Sequence, residues 1–112
     1  MLLAGGGALN ADNLRMHEEA RCFVREMDRA KKPVAFTWPA PWLLISAGLV
    51  KGRRMTSYYT IQDDVRNAGA DWKDEEVVRD QNWISSRQPS DIPAFNRAVA
   101  ELLIEVRSRQ AA

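Results

Sequence analysis

The run KPVAFTWPAPW occupies residues 32–42 and largely decides the expected fold. Residues 34–37 are a short β-prone run, and the apolar stretch at 41–49 favours a compact helix. A strand that enters a helix through so tight a turn has the geometry of a nucleophile elbow, which projects one side chain from the top of a sheet. The tip of the turn carries Trp38 and Pro39, and neither side chain can act as a nucleophile or a base.

The flanking sequence predicts strands that alternate with helices. A strand at 1–4 precedes a run of glycines, after which Asn10 and Asp12 are candidate N-caps of the first helix. Further on, the pattern predicts a strand at 54–59, a helix at 60–67, and a hairpin of 77–80 with 83–86 around a turn at 81–82. This alternation favours α/β layers around a mostly parallel sheet.

Two helices show apolar stripes at helical spacing. The first stripe contains Met16, Ala20, Phe23, Met27 and Ala30. The stripe of the last helix contains Ile92, Phe95, Val99, Leu102, Leu103 and Val106. Ser90 or Asp91 is expected to cap the last helix, and Gly48 and Gly69 suit the ends of the two shorter helices.

Length and charge limit the possible partners. The 112 residues fit one domain, and a hydrophobic content of 46% is enough for an ordinary core. The formal net charge of +1, with charges interspersed along the chain, gives no electrostatic attraction to nucleic acid or acidic lipid. The apolar run at 33–50 is broken by prolines and a glycine, so it is a poor membrane span. We therefore expect neither nucleic-acid nor membrane binding.

Cysteine and histidine are each present once. A single cysteine, Cys22, rules out an intramolecular disulfide and fits a reducing cytoplasm, and no signal-peptide pattern opens the chain. His17 lacks the second histidine of an HExxH helix, so no metal site is expected. Gly5-Gly6-Gly7 has neither GxGxxG nor Walker spacing, which favours a tight turn over a nucleotide-binding loop. No cofactor is predicted.

Nearly all of the chain resembles the PfpI family of the class I glutamine amidotransferase-like superfamily. The likeness rests on the segments 6–15, 32–35, 40–53, 56–58, 61–70, 76–78, 85–87 and 91–95. It implies a flavodoxin-like three-layer α/β sandwich with a mostly parallel sheet, of a kind that is usually oligomeric. It also implies a single partial PfpI-type domain at residues 1–112, in which the N-terminal part of the fold is missing.

The resemblance implies where the family's chemistry would lie. Members are described as cysteine peptidases, glyoxalases, protein deglycases or stress chaperones, with a cysteine at the elbow and a histidine directly after it. Trp38 stands at the cysteine position, Pro39 at the histidine position and Asp12 at the acid position, while Gly6 and Gly7 are the remnant of the oxyanion loop. Trp38 removes the attacking thiolate, and Pro39 removes the imidazole and a backbone donor. Because it has no base to orient, Asp12 is better interpreted as a helix cap.

Smaller departures from the family pattern fall at turns. Lys31 stands where the family has a helix-ending glycine, Gln81 where it has the hairpin glycine, and Gly5 where it has a proline. A residue with a side chain at a position that needs positive φ costs about 1 kcal/mol relative to glycine. We therefore expect strained turns at Lys31 and Gln81.

The other reactive or aromatic side chains are expected to have structural rather than catalytic roles. Cys22 lies between two carboxylates at i±4, which disfavour a thiolate, so an inert surface thiol is favoured over a substitute nucleophile. Thr37 and Ser46 have no histidine placed to activate them. Trp42 and Trp83 are assigned to the core, whereas the indole at residue 38 is expected to block the former site.

Three functions remain open. The preferred one is a catalytically inactive PfpI-type domain, degenerate or truncated, that forms a homo-oligomer or associates with an intact family member in the cytoplasm. The second is an active hydrolase, deglycase or glyoxalase that works through a rearranged site. The third is a chaperone-like binder that uses exposed apolar surface.

Overall fold

The structure of the protein, a computed structural model, describes residues 2–4, 15–37 and 40–111. In chain order the elements are β1 (Leu2–Ala4), α1 (Glu18–Arg29), β2 (Val34–Thr37), α2 (Pro41–Ser46), β3 (Arg54–Met55), α3 (Gln62–Asn67), β4 (Asp71–Trp72), β5 (Val77–Asp80), β6 (Trp83–Ser86) and α4 (Ile92–Ala111). Short 3-10 helices, Tyr59–Ile61 and Pro89–Asp91, precede α3 and α4. The predicted alternation of strands and helices is confirmed.

The main sheet has four strands in the order β1-β2-β6-β5. β1, β2 and β6 run parallel, with Ala4 beside Phe36 and Thr37 beside Ser86. β5 and β6 form the predicted antiparallel hairpin. A separate sheet pairs β3 with β4 in parallel. The three parallel strands end at one edge, which we call the carboxyl edge; the opposite edge, where β2 and β6 begin, is the amino edge.

Successive side chains of β2 enter two different cores, because they alternate between the two faces of the sheet. Val34 and Phe36 belong to a cluster that includes apolar side chains of α1, α2 and α3. Ala35 belongs to a second cluster with Phe95 and Leu102 of α4. Helices therefore cover both faces, which confirms the three-layer arrangement.

The predicted stripe of the first helix is partly wrong. Met16 precedes α1 and is 76% exposed. Phe23 is 55% exposed, and the buried side chain is its neighbour Val24. Because Ala20 and Met27 pack against the core as predicted, the buried face of α1 runs at i, i+4 and i+7 through Val24. The candidate caps Asn10 and Asp12 do not cap α1, whose N-cap is His17, and both lie outside the described residues.

Several predicted boundaries also differ from the structure. β3 ends at Met55 rather than at residue 59, and α2 ends at Ser46 rather than at residue 49. Leu103 of α4 is 40% exposed instead of buried. Asp91 directly precedes α4, and its carboxylate accepts hydrogen bonds from the backbone N–H and the guanidinium of Arg87.

The strained turns expected at Lys31 and Gln81 are confirmed. Their φ angles are 59° and 57°, in the left-handed region. Within the described ranges, no other residue with a side chain has positive φ. Gly48 and Gly69 follow α2 and α3 with φ of 77° and 98°, which fits their predicted role at helix ends.

Candidate active site

The predicted strand-to-helix turn connects β2 to α2 at the carboxyl edge. β2 ends at Thr37 and α2 begins at Pro41, so only residues 38–40 join them. The N–H of Ala40 donates to the carbonyl oxygen of Thr37 at 3.3 Å, which holds the turn tight. Proline suits the first position of a helix, where no intrahelical partner for an N–H exists. Trp38 and Pro39 themselves lie outside the described residues.

The register of β1 brings a second segment to the same edge. β1 is parallel to β2, and Ala4 lies beside Phe36. The chain therefore leaves both strands at the carboxyl edge, where open α/β sheets bind their ligands. Gly6, Gly7 and Asp12 follow β1 in sequence and lie outside the described residues.

Arg15 ties the end of that segment to α2. Its Nε donates to Ser46 Oγ at 2.9 Å, and its guanidinium carbon lies 5.6 Å from the centroid of the Trp42 ring. On the other side, Trp42 Nε1 donates to Asp64 Oδ2 at 3.1 Å. The assignment of Trp42 to the core is therefore wrong, because its indole is only partly buried and bridges two polar groups.

Hydroxyl groups gather beside the turn, and we call this group the hydroxyl belt: Thr37, Thr56, Ser57, Ser85 and Ser86. Ser86 Oγ donates to Thr37 Oγ1 at 2.8 Å, across neighbouring ends of β2 and β6. The N–H of Thr56 donates to Ser85 Oγ at 3.0 Å. The belt therefore joins the loop after β3 to the main sheet.

The belt is chemically neutral. Ser57 Oγ accepts from Trp72 Nε1 at 3.0 Å and donates to the carbonyl oxygen of Tyr58 at 3.1 Å. Thr56 Oγ1 is fully buried and has no hydrogen-bond partner within the described ranges. A serine or threonine attacks only when an adjacent base takes its proton. In the part of the chain that the structure describes, the belt bonds to backbone, hydroxyl and indole groups rather than to a base.

Cys22 is exposed on α1 and is held as a thiol. Its Sγ–H donates to Glu18 Oε1 at 3.3 Å, and this bond raises the pKa of the Cys22 thiol. The pKa of Glu18 falls to about 2, because Arg21 and then Cys22 donate to its carboxylate. The expectation that a nearby carboxylate disfavours the thiolate is confirmed. His17 is exposed at the N-cap of α1 and makes no side-chain cap bond.

An ion pair closes the carboxyl edge after β6. Asp91, 3% exposed, accepts from the backbone N–H and Nε of Arg87 at 3.1 and 3.0 Å, and from its Nη2 at 3.1 Å. Arg87 Nη1 donates to Asp74 Oδ1 at 2.9 Å. Burial opposes ionisation of Asp91, yet the bonds from Arg87 hold the pKa of its carboxyl below the usual value. The guanidinium of Arg87 therefore already donates to two carboxylates of the same chain, Asp91 and Asp74.

The ranges 2–4, 15–37 and 40–111 contain neither a candidate metal site nor a candidate membrane-spanning helix. No group of three or more histidine, cysteine or acidic side chains there could hold a metal ion. No helix there combines the length and apolar character needed to cross a bilayer.

The comparison with known proteins agrees with this arrangement. Residues 1–102 match the model of the DJ-1/PfpI family. The chain belongs to the DJ-1/PfpI family. A deglycase of Thermococcus kodakarensis is 48% identical to it over 103 residues, which are 92% of this chain and 61% of that protein. This family member therefore spans about three fifths of the length of that relative.

Solved structures of the DJ-1/PfpI family share the fold. A two-domain protein from Anabaena variabilis, with DJ-1/ThiJ/PfpI-like and ferritin-like domains, superposes with a TM-score of 0.81 at 36% identity, over 83% of this chain and 27% of that one. Drosophila melanogaster DJ-1beta superposes with a TM-score of 0.80 at 24% identity, over 89% of this chain and 55% of that one. The predicted PfpI resemblance and flavodoxin-like α/β fold are confirmed.

Sequence reasoning missed most of the hydroxyl belt. It considered Thr37 but not the buried hydroxyls of Thr56, Ser57, Ser85 and Ser86. The available signal was the presence of two hydroxyl pairs, at 56–57 and 85–86, inside segments that match the family. Nothing in either pair alone indicates that they meet, because their contact joins residues 29 positions apart.

Proposed function

We propose that this DJ-1/PfpI domain is catalytically inactive. The observation that carries the proposal is the pair Trp38 and Pro39, which occupies the short connection between Thr37 of β2 and Pro41 of α2. In the family pattern this connection supplies the cysteine and histidine. An indole has no proton to lose near neutral pH, and a proline ring has neither an imidazole nor an N–H.

The loss affects two separate parts of the chemistry. The attacking species in cysteine catalysis is the thiolate, which Trp38 does not provide. The backbone N–H after the nucleophile usually donates to the oxyanion, and Pro39 has none. Removal of one such donor costs on the order of 100- to 1000-fold in turnover. Restoring a nucleophile alone would therefore leave the site impaired.

Neighbouring groups offer no replacement in the described part of the chain. Cys22 lies on α1 with its thiol bonded to Glu18 and its pKa raised. The hydroxyl of Ser46 accepts from Arg15, and that of Ser86 donates to Thr37. Asp12, at the acid position of the family pattern, would then have no base to orient.

The test compares turnover and covalent labelling in three proteins. These are the natural chain, the Cys22→Ser variant, and a Trp38→Cys/Pro39→His variant made in the Cys22→Ser background. Peptide hydrolysis and methylglyoxal consumption are measured, and intact-mass spectrometry detects adducts with an electrophilic substrate. We expect the natural chain to turn over neither substrate above the uncatalysed rate, and any thiol adduct on it to vanish with Cys22→Ser.

Turnover by the natural chain would favour the active hydrolase, deglycase or glyoxalase instead. If that turnover survived Cys22→Ser, the nucleophile would be one of the remaining groups in a rearranged site. An adduct in the natural chain that maps near residues 37–40 would contradict inactivity directly. Labelling of the double variant alone would show that the turn still exposes its tip residue, as an elbow should.

An interaction role is the second candidate, favoured by exposed apolar side chains. Phe23 on α1 is 55% exposed, and Ile104 on α4 is 65% exposed. Such side chains suit a homo-oligomer, association with an intact family member, or chaperone-like binding, in the cytoplasm. Sedimentation velocity and dye binding would test this with Ile104→Ser beside Arg107→Ser. A monomer that binds no dye and is unaffected by either change would exclude it.

A further inference from the structure

A groove of about 840 Å³ opens at the amino edge, away from the candidate active site. Its walls come from the turn after α1, the start of β2, the β5–β6 turn and the C-terminal part of α4. We call it the amino-edge groove. Its volume lies within the range of about 300–1,000 Å³ that is typical of small-molecule sites.

The charged side chains that line the groove are all cationic: Lys31, Lys32, Arg79 and Arg109. Of these four cations, only Arg79 forms an ion pair with a described residue, Glu105. Arg79, and more weakly Arg109, hold the pKa of the Glu105 carboxyl below its usual value. Even after one carboxylate is set against these charges, the groove keeps a net positive charge, although the whole chain carries only +1.

The groove also has an apolar side. Pro33 is buried beneath it, and Leu103 and Val106 of α4 line its wall. Leu103 remains 40% exposed there, although its spacing along α4 had predicted a buried position. A cationic rim beside an apolar wall suits a ligand that has an anionic group attached to an organic body.

The two described residues that combine a side chain with a positive φ both lie in this groove. Lys31 and Gln81 have φ of 59° and 57°, and both side chains line it. The family pattern has glycine at both positions, which would adopt this conformation without strain. Backbone strain held at a cavity is a reason to look for function there. This chain thus places a cation and an amide in the groove where a less strained residue would serve the fold.

The backbone beneath the groove is held rigidly. Asn82, 7% exposed, donates from Nδ2 to the carbonyl oxygen of Lys32 at 2.9 Å and to Asp28 Oδ1 at 3.0 Å. The backbone carbonyl oxygen of Asn82 accepts a hydrogen bond from the N–H of Val34 at 2.8 Å. These bonds fix the turn after α1 against the β5–β6 turn, so the two strained residues are presented at a set separation.

A largely buried ionic cluster supports this arrangement, and we call it the Arg53 cluster: Asp28, Arg53, Asp80, Asn82 and Trp83. Arg53 pairs with Asp80 at 3.1 Å and Asp28 at 3.4 Å, and its guanidinium carbon lies 3.8 Å from the centroid of the Trp83 ring. Trp83 Nε1 donates to Asp28 Oδ1 at 2.7 Å. Because Arg53 already pairs with these two carboxylates, they compete little for the cations of the groove.

We propose that the amino-edge groove binds a small organic phosphate. Lysine and arginine side chains are the usual partners of phosphate oxygens, through charge-assisted hydrogen bonds. Two adjacent lysines at the turn after α1 and Arg109 on α4 approach the groove from different elements, so they can contact different oxygens. The apolar wall of α4 would contact the organic part. Binding here is independent of the turn at 37–41.

The experiment is calorimetric titration with phenyl phosphate and with inorganic pyrophosphate, and phenol serves as the uncharged probe. We expect saturable binding of both anions, weaker at higher salt, and no binding of phenol. Lys31→Ala should weaken phenyl phosphate binding about fivefold, as for one exposed ion pair. Lys51→Ala removes the same charge at an exposed position that does not line the groove, and should change affinity less than about twofold.

Lys31→Gly separates a ligand role from a purely structural one. Glycine relieves the left-handed turn, so the melting temperature should rise by about 4 °C while phosphate binding weakens. Gln81→Gly should raise the melting temperature by a similar amount and leave most of the affinity for phenyl phosphate, because no charge is lost. Absence of saturable binding, or equal weakening by Lys31→Ala and Lys51→Ala, would overturn the proposal. Binding that Lys31→Gly leaves intact would do the same.

Discussion

The two edges of the main sheet have opposite chemical character. The carboxyl edge, where family members carry their chemistry, holds the neutral hydroxyl belt beside the Arg87–Asp91 pair. The amino edge holds the Arg53 cluster and the cationic amino-edge groove. Both strained turns also lie at the amino edge.

This contrast shows that the cationic groove does not lie at the end of the sheet where the family pattern has its catalytic residues. The carboxyl edge keeps the connection of β2 to α2 that an elbow needs, but with Trp38 and Pro39 in sequence between them. Groups that could bind an anion lie instead at the end of the sheet where the parallel strands begin. Stability measurements on matched variants can test each half of the contrast.

The largest effect is expected from Arg53→Met at the amino edge. The change leaves Asp28 and Asp80 without their cation, and both carboxylates are largely buried. A buried pair that loses one partner costs about 3 kcal/mol of unfolding free energy. Arg54→Met is the control, because Arg54 is exposed and should cost less than about 1 kcal/mol. Urea denaturation measures both, and equal losses would show that the Arg53 cluster adds no stability.

At the carboxyl edge, Asp91→Asn should cost about 2 kcal/mol at neutral pH, because Arg87 loses its buried charged partner and keeps only the exposed Asp74. The folded-state pKa of Asp91 is depressed, so its contribution is present above the unfolded value of 3.8 and is lost as pH falls through the folded value. The variant should therefore lose less stability than the natural chain between pH 6 and pH 2.

Asp74→Asn provides the matched control for Asp91→Asn. Asp74 bonds the same guanidinium, but its side chain is 71% exposed, and its removal should cost about 0.5 kcal/mol or less. Chemical denaturation across the acid range measures all three proteins. Parallel pH curves for the natural chain and the Asp91→Asn variant would contradict the prediction.

Two substitutions in the hydroxyl belt are expected to change the unfolding free energy in opposite directions. Thr56→Val replaces the buried Oγ1 that has no described partner by a methyl group, and should stabilise the fold by about 1 kcal/mol. Ser85→Ala leaves the N–H of Thr56 without its acceptor and should destabilise by about 1 kcal/mol. Thermal melting of both variants checks the signs. Destabilisation by Thr56→Val would show that this hydroxyl has a partner.

The smallest effect is expected from Gln81→Gly. Relief of the left-handed turn should add about 0.5–1 kcal/mol to the unfolding free energy. Gln88→Gly is the control, since Gln88 has an extended backbone with φ of −160° and gains nothing from glycine. A loss of stability with Gln81→Gly would mean that its side chain contributes more than the strain costs.

The strands and the tight turn could be predicted because their signals are local. β-prone residues at 34–37, directly before a proline-started apolar helix, allow little else. The strained turns were predictable from the resemblance to the family, because Lys31 and Gln81 stand where the family has glycine. Trp83 was placed correctly in the core, at 1% exposure.

What could not be predicted depends on partners distant in sequence. Spacing alone does not decide between Phe23 and Val24 on α1, since both lie near the edge of the same stripe. The exposure of Leu103 depends on what lies beside α4, which periodicity does not report. The two-residue strand β4 has too few residues for a pattern and forms only because β3 pairs with it. The roles of Gly6, Gly7, Asp12, Trp38 and Pro39 in the candidate site remain predictions.

The position of Trp83 makes it an optical reporter for one end of the molecule. Its ring is fixed between the Arg53 guanidinium and the core, and its Nε1 is bound to Asp28. An indole held so firmly in an asymmetric setting gives a strong near-ultraviolet circular dichroism signal, and shielding from water moves its emission to shorter wavelengths. Loosening of the amino edge would therefore reduce the contribution of Trp83 to the near-ultraviolet ellipticity.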